Sequence, residues 1–227
     1  MHLPLRRSGL NRQTPFSFSC RRCLKCCRAK KIQVNPYEIA CLAANLGLST
    51  TEFIERYTGA GGTCLSWNAD NSCVFLGDMG CMVHRDRPLV CRLYPLGRKL
   101  DASGRESFGE IEPDPDCRGD YGEHQLIGDY LENQDIERYV DAADRYLKVL
   151  WRMVEIVQLN AAIPERADAV AEGLRGIGAA RDEHAVSWLD MDPLLAVYCA
   201  EHELELPTDI NLKMLFHLQA LQMLIEA

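Results

Sequence analysis

The chain of 227 residues predicts an α+β fold, mostly α: an irregular cysteine-rich metal-binding module with short helices and strands, followed by a helical C-terminal region. Three observations lead there. Ten of the eleven cysteines lie before residue 118. Residues 59–120 are rich in glycine, short apolar runs and cysteine, with weak helical periodicity. Beyond residue 121 apolar residues recur at helical spacing. The expected organisation is a basic N-terminal arm (1–15), a cysteine-cluster domain (16–120) and a helical region (121–227).

Taken in order, residues 1–15 read as a loose arm with little to bury, and Phe16 and Phe18 as packing anchors for the first cysteine run. Asn35 followed by Pro36 opens a helix, with Ile39, Ala40, Leu42, Ala43 and Leu46 on its apolar face and Gly47 as its stop. Ser49-Thr50-Thr51-Glu52 is a capping box for a second helix carrying Phe53, Ile54 and Tyr57. The two make a helical hairpin. Short strands are expected at Ser66-Trp67 and Cys73–Leu76. Arg98–Leu100, the turn Asp101–Gly104 and Glu106–Phe108 read as a β-hairpin. The stripe from Ile136 to Val157 spans about six turns of one helix. Pro164 opens another helix that ends at Gly173 or Gly176. Asp192-Pro193 caps the next, and Thr208-Asp209 starts the last, which carries Leu212, Leu215, Phe216, Leu218, Leu221 and Leu224.

Composition narrows the function. A hydrophobic share of 47% and a charged share of 26% are those of an ordinary soluble protein. No run approaches the roughly 18 apolar residues that cross a bilayer, so no membrane span is expected. Arg6-Arg7 is not followed by an apolar h-region, because Asn11–Pro15 breaks it. A cytoplasmic, reducing location is therefore expected, where cysteines serve metals or thiol chemistry rather than disulfides. Residues 1–31 hold nine Lys/Arg and no acid, while the other 16 bases face 33 acids. Arg21, Arg22, Lys25, Arg28 and Lys30 lie among or just after four cysteines. They are expected to favour thiolates and offset the charge of a thiolate-bound centre. No stacking aromatics interleave the run, so nucleic acid is not an expected partner. A protein partner is expected on the helical region. There is no Gly-rich phosphate loop, no C-x3-C-x2-C run and no G-x-S-x-G elbow, and no catalytic residue stands out.

Cys20, Cys23 and Cys26, each separated from the next by two residues, have the spacing with which bacterial ferredoxins hold a cubane cluster. Zinc sites more often use one such pair with its partner pair well separated. An iron–sulfur cluster, 4Fe-4S in type, is therefore expected ahead of zinc. Cys27 follows Cys26 directly and either meets a second centre or stays a free thiol. Cys73, Cys81, Cys91 and Cys117 form a second, spread-out group, so eight thiolates suffice for two four-thiolate sites or one site with reserve. Cys41 and Cys199 sit in helices and read as buried thiols; Cys64 is the less clear case. His84, between two ligand candidates, is expected beside the metal rather than on it. His2, His124, His184, His202 and His217 show no ligand spacing. Asp114 and Asp116, alternating with prolines, read as an exposed turn.

The run Cys20-x2-Cys23-x2-Cys26-Cys27, followed by Cys81-Met82-Val83-His84-Arg85-Asp86-Arg87-Pro88-Leu89-Val90-Cys91-Arg92-Leu93-Tyr94-Pro95, resembles the YkgJ-type CxxCxxCC cysteine-cluster proteins over roughly residues 16–120. The resemblance implies a zinc- or iron-chelating domain whose ligands are Cys20, Cys23, Cys26, Cys27, Cys73, Cys81, Cys91 and Cys117. Flagellin lysine-N-methylase is a distant relative with a similar cysteine pattern, but the C-terminal half here does not resemble that enzyme, so its activity does not carry over. Redox or group transfer is the expected role, with a structural zinc module for protein interaction as the alternative. Pro88 and Pro95 would hold the Cys91 sulfur in place. Arg92 is expected to hydrogen-bond a cluster sulfide or thiolate and tune it.

Overall fold

The computed structural model describes residues 4–59, 61–101, 103–161 and 188–226. Two strands open the chain, β1 (Leu5–Leu10) and β2 (Pro15–Ser19), before helices α1 (Pro36–Leu46) and α2 (Thr50–Tyr57). Four two-residue strands follow: β3 (Thr58–Gly59), β4 (Cys64–Leu65), β5 (Leu76–Gly77) and β6 (Gly80–Cys81). Then come α3 (Leu89–Leu93), β7 (Leu96–Leu100), β8 (Glu106–Ile111), β9 (Asp120–Leu126), α4 (Ile127–Glu132) and α5 (Glu137–Ala161). The last described elements are α6 (Met191–Glu201) and α7 (Ile210–Glu226). The α+β class with a helical C-terminal region is what the structure has. The helix expected from Pro164 to Gly173 or Gly176, and His184, lie outside the described residues.

The chain divides into two units that are discontinuous in sequence: residues 1–32 with 67–138, and residues 33–66 with 139–227. In the first, β1, β8 and β7 form an antiparallel sheet, and β2 pairs with β9. The β7–β8 hairpin turns where the sequence predicts, with Asp101 accepting from the Ser103 and Arg105 N–H groups. The expected loose arm is not loose. Leu5–Leu10 is a strand against β8, with Leu10 opposite Phe108, and Phe18 in β2 faces Tyr121 in β9. Residues 120–126, expected to begin the helical region, are the partner strand. Neither LRRSGL nor DYGEHQL alternates apolar with polar, and their partners lie about a hundred residues away, so no local pattern marks them. Phe16, Phe75, Val83, Leu93, Leu96, Phe108, Ile127 and Leu131 form the core of this unit.

The arm's bases meet carboxylates. Arg7 grips buried Glu110 and reaches Glu123 at 2.9 Å. Arg12 and Arg98 share Glu106. Arg21 pairs with Asp120, Lys25 with Asp116 and Arg28 with Asp70, each at 2.6–2.7 Å. Three of the five bases expected to offset thiolates are therefore matched by acids.

The second unit is helical. Asn35 caps α1 and Ser49 caps α2, each in a reciprocal capping box with Glu38 and Glu52. Gly47 ends α1 with φ +68°, a left-handed stop that favours glycine. Helix α6 starts at Met191, two residues before Pro193. Asp190 and Asp192 serve α2 instead of capping their own helix: Asp190 takes the Thr50 and Thr51 hydroxyls, and Asp192 the Thr50 N–H at 2.8 Å. Tyr146 and the fully buried His217 meet at 2.9 Å in the core. Cys41, Cys64 and Cys199 are buried in this unit.

Candidate metal centre

All eight expected ligand cysteines belong to the first unit. Their surroundings follow from local backbone. Residues 27–29 run antiparallel to 71–73: Cys73 N–H donates to the Cys27 carbonyl at 2.8 Å, and Ala29 N–H to that of Asn71 at 2.9 Å. This sets Cys27 beside Cys73. Cys81 sits on β6, opposite Leu76 on β5. Cys91 lies on the short helix α3, where the Pro88 carbonyl accepts its N–H at 2.9 Å. The first run turns sharply enough to present successive thiols because Arg22 and Leu24 take left-handed backbone, φ 52° and 63°. Such conformations are strained for side-chain-bearing residues and persist where the surroundings impose them.

The sulfurs share one backbone pattern. Cys20 accepts the N–H of Arg22 at 3.4 Å, and Cys117 that of Gly119 at 3.4 Å. Cys23 accepts from Lys25, Cys73 from Phe75 and Cys81 from Val83. In all five the donor is two residues on. Cys23 also accepts from Arg118 and the Cys117 thiol, tying the first run to the last of the expected ligands. Amide donors aimed at sulfur favour thiolate, the form metals bind.

Electrostatics divide the vicinal pair. The Cys26 and Cys27 sulfurs are 3.9 Å apart. The Cys27 thiol hydrogen-bonds Cys26 and, against the effect of burial and with Lys30 assisting, holds Cys26 down at about 7. Cys27 is pushed far up by that same bond, then by burial and by the nearby Cys26, Cys91 and Cys81. Burial raises Cys73 and Cys81. For Cys23 the amides and Cys117 outweigh burial and lower it. Lys30 is thus a base that acts on a thiolate as expected, while Lys25 answers Asp116.

Two sequence-predicted side chains, Arg92 and His84, have protein partners. Arg92 is 3% exposed. Its guanidinium donates to backbone carbonyls of Arg87 and Gln134 at 3.0 Å each, and to that of Arg85. These bonds brace the loop before α3 against the end of α4. His84 is exposed as a residue, and partial burial of its ring with the Arg87, Arg22 and Arg92 charges lowers its pKa below the usual imidazole value. Its Nδ1 lies 3.4 Å from Arg87. Asp114 and Asp116 form the exposed turn the sequence predicts.

Several neighbours of the thiols escaped sequence reasoning. Tyr121 Oη is 3.9 Å from the Cys117 sulfur and hydrogen-bonds Tyr94. Burial, eased by Tyr121, pushes Tyr94 up to about 12. Tyr130 donates to the Tyr94 carbonyl at 2.6 Å. Phe18 packs on Tyr94 and Tyr121. The only local signal was an aromatic residue three or four positions after Cys91 and Cys117. Gly119 leaves room for the Phe18 ring: a Cβ there would collide with it. Gly119→Ala is expected to destabilise the fold by about 1–3 kcal/mol through overpacking, read as a lowered denaturation midpoint; an unchanged midpoint would show that the ring moves freely aside.

Among the described residues no group of three or more His, Cys, Asp or Glu forms a ready-made metal cage. The thiols share a region without yet sharing a coordination sphere. Their chemistry nonetheless fits a thiophilic metal: soft donors with amides aimed at five sulfurs and one thiol already close to ionised at neutral pH. Fold and donor set are those of a cysteine-rich domain whose thiols suit a thiophilic metal. Residues 19–114, under half of the chain, match the CxxCxxCC family, described as "Putative zinc- or iron-chelating domain". No curated protein and no solved structure matches the chain. Among the described residues no helix is long and apolar enough to cross a membrane.

Proposed function

We propose that this domain holds an iron–sulfur cluster, 4Fe-4S in type, and that the protein serves redox or group transfer in the cytoplasm. The supporting observation is the sulfur-only donor set: eight thiols in one unit, opened by the Cys20-Cys23-Cys26 triplet, with amides supplied at five of them. Cys20, Cys23, Cys26, Cys27, Cys73, Cys81, Cys91 and Cys117 are the residues that would hold it. Hydrogen bonds to sulfur and partial burial are the means by which a protein sets such a cluster's potential.

The test is purification without oxygen, a visible spectrum, and assays of iron, zinc and sulfide. A brown protein with broad visible absorption and matching iron and sulfide is expected. Colourless protein with one or two zinc ions per chain, unchanged after attempted reconstitution, would overturn the cluster in favour of a structural zinc module. The exposed Leu212, Leu215, Met223 and Leu224 on α7 favour a protein partner in that reading.

A further inference from the structure

We propose that Tyr121, oriented by Tyr94, is a positioning residue of the metal centre: its hydroxyl donates to the Cys117 sulfur and tunes that ligand. This rests on the metal-chelating reading of the domain. Cys117 sulfur already takes the Gly119 N–H at 3.4 Å, and the Tyr121 hydroxyl stands on it at 3.9 Å, within reach for a hydrogen bond to sulfur. A thiolate is purely an acceptor, so in the loaded protein the phenol must be the donor. Its one proton, given to Tyr94 in the metal-free arrangement, is then committed to sulfur, and the bond between the two phenols reverses so that Tyr94 donates to it.

The arrangement is built rather than incidental. Tyr121 is the cross-strand partner of Phe18 in the β2–β9 pair. The Phe18 ring lies 4.9 Å from that of Tyr121 and 6.1 Å from that of Tyr94, so one ring seats both phenols. Tyr94 is fixed from behind by the Tyr130 hydroxyl on its carbonyl at 2.6 Å. Cys117 is the ligand farthest along the chain from the first cysteine run, yet it touches Cys23. A donor at Cys117 therefore acts where the two cysteine groups join. A hydrogen bond to a thiolate ligand draws electron density off sulfur and fixes its direction, as outer partners of metal ligands do.

The test uses the full chain, reduced and free of oxygen, titrated with Co(II), whose thiolate charge-transfer band reports the sulfur directly. Tyr121→Phe keeps the ring and removes the donor. It is expected to bind the same amount of cobalt with the band moved to longer wavelength and affinity lowered roughly tenfold. Tyr94→Phe should move the band the same way by less. A wild-type band that Tyr121→Phe leaves in place, even with weakened affinity, would overturn the role of Tyr121 alone. A wild-type protein with no thiolate band at any cobalt concentration would overturn the metal-chelating reading, and this inference with it.

Discussion

Cys81→Ser is expected to weaken metal binding by about a hundredfold. Structural zinc in small thiolate sites contributes roughly 10–16 kcal/mol; losing one of four ligands removes about a quarter of it, about 3 kcal/mol, or about two decades in affinity. Cys81 is the informative choice because its thiol interacts with Cys26, Cys27 and Cys73, linking the first cysteine run to the second group. Competition with a chromophoric chelator measures the loss. Cys199→Ala, buried in the other unit, is the control and should keep its metal. If Cys81→Ser binds as tightly as the wild type, the ligand set does not include it.

Arg92→Met should destabilise the protein by about 3–5 kcal/mol, which in a chain of this size lowers the melting midpoint by about 6–20 °C. The reason is what the guanidinium leaves behind. Three backbone carbonyls, those of Arg85, Arg87 and Gln134, lose their donor in a buried setting, and methionine fills the space without replacing a bond. Arg92→Lys should recover only a small part, since one ammonium cannot reproduce a planar fork. If Arg92→Met melted with the wild type while its metal spectrum changed, the side chain would be acting on the centre and not on the fold.

Much of the site was legible because its logic is local. Thiol spacing at Cys20, Cys23 and Cys26 survives in any fold that turns tightly, and the helix caps at Asn35 and Ser49 are signals complete within four residues. The β7–β8 hairpin announces itself through the turn at Asp101–Gly104. What escaped depends on partners distant in the chain. Leu5–Leu10 and Asp120–Leu126 are strands only because β8 and β2 lie against them. The bracing role of Arg92 was hidden for a similar reason: a charged side chain beside Cys91 invites pairing with sulfur, and nothing in the sequence shows Gln134 arriving with its carbonyl. Nor is the amide-to-sulfur pattern a property of residue types. It arises from the backbone two residues past each cysteine, at positions as different as Arg22, Phe75 and Val83.

The first unit closes on itself only after the chain has left it at residue 32, built part of the other unit, and returned at residue 67. Its sheets join ends about a hundred residues apart, which makes it a high-contact-order unit and slow to fold. On the ribosome, at about 5–20 residues per second, Cys117 is made about 5–20 s after Cys27. Until Cys73 is made, about halfway through that interval, the Cys20–Cys27 run exists without Cys73, Cys81, Cys91 or Cys117. A metal captured then would be held by the early thiols alone, and the later four would inherit it. A metal taken up in that order would use the N-terminal run as its landing place and the remaining thiols as the lock.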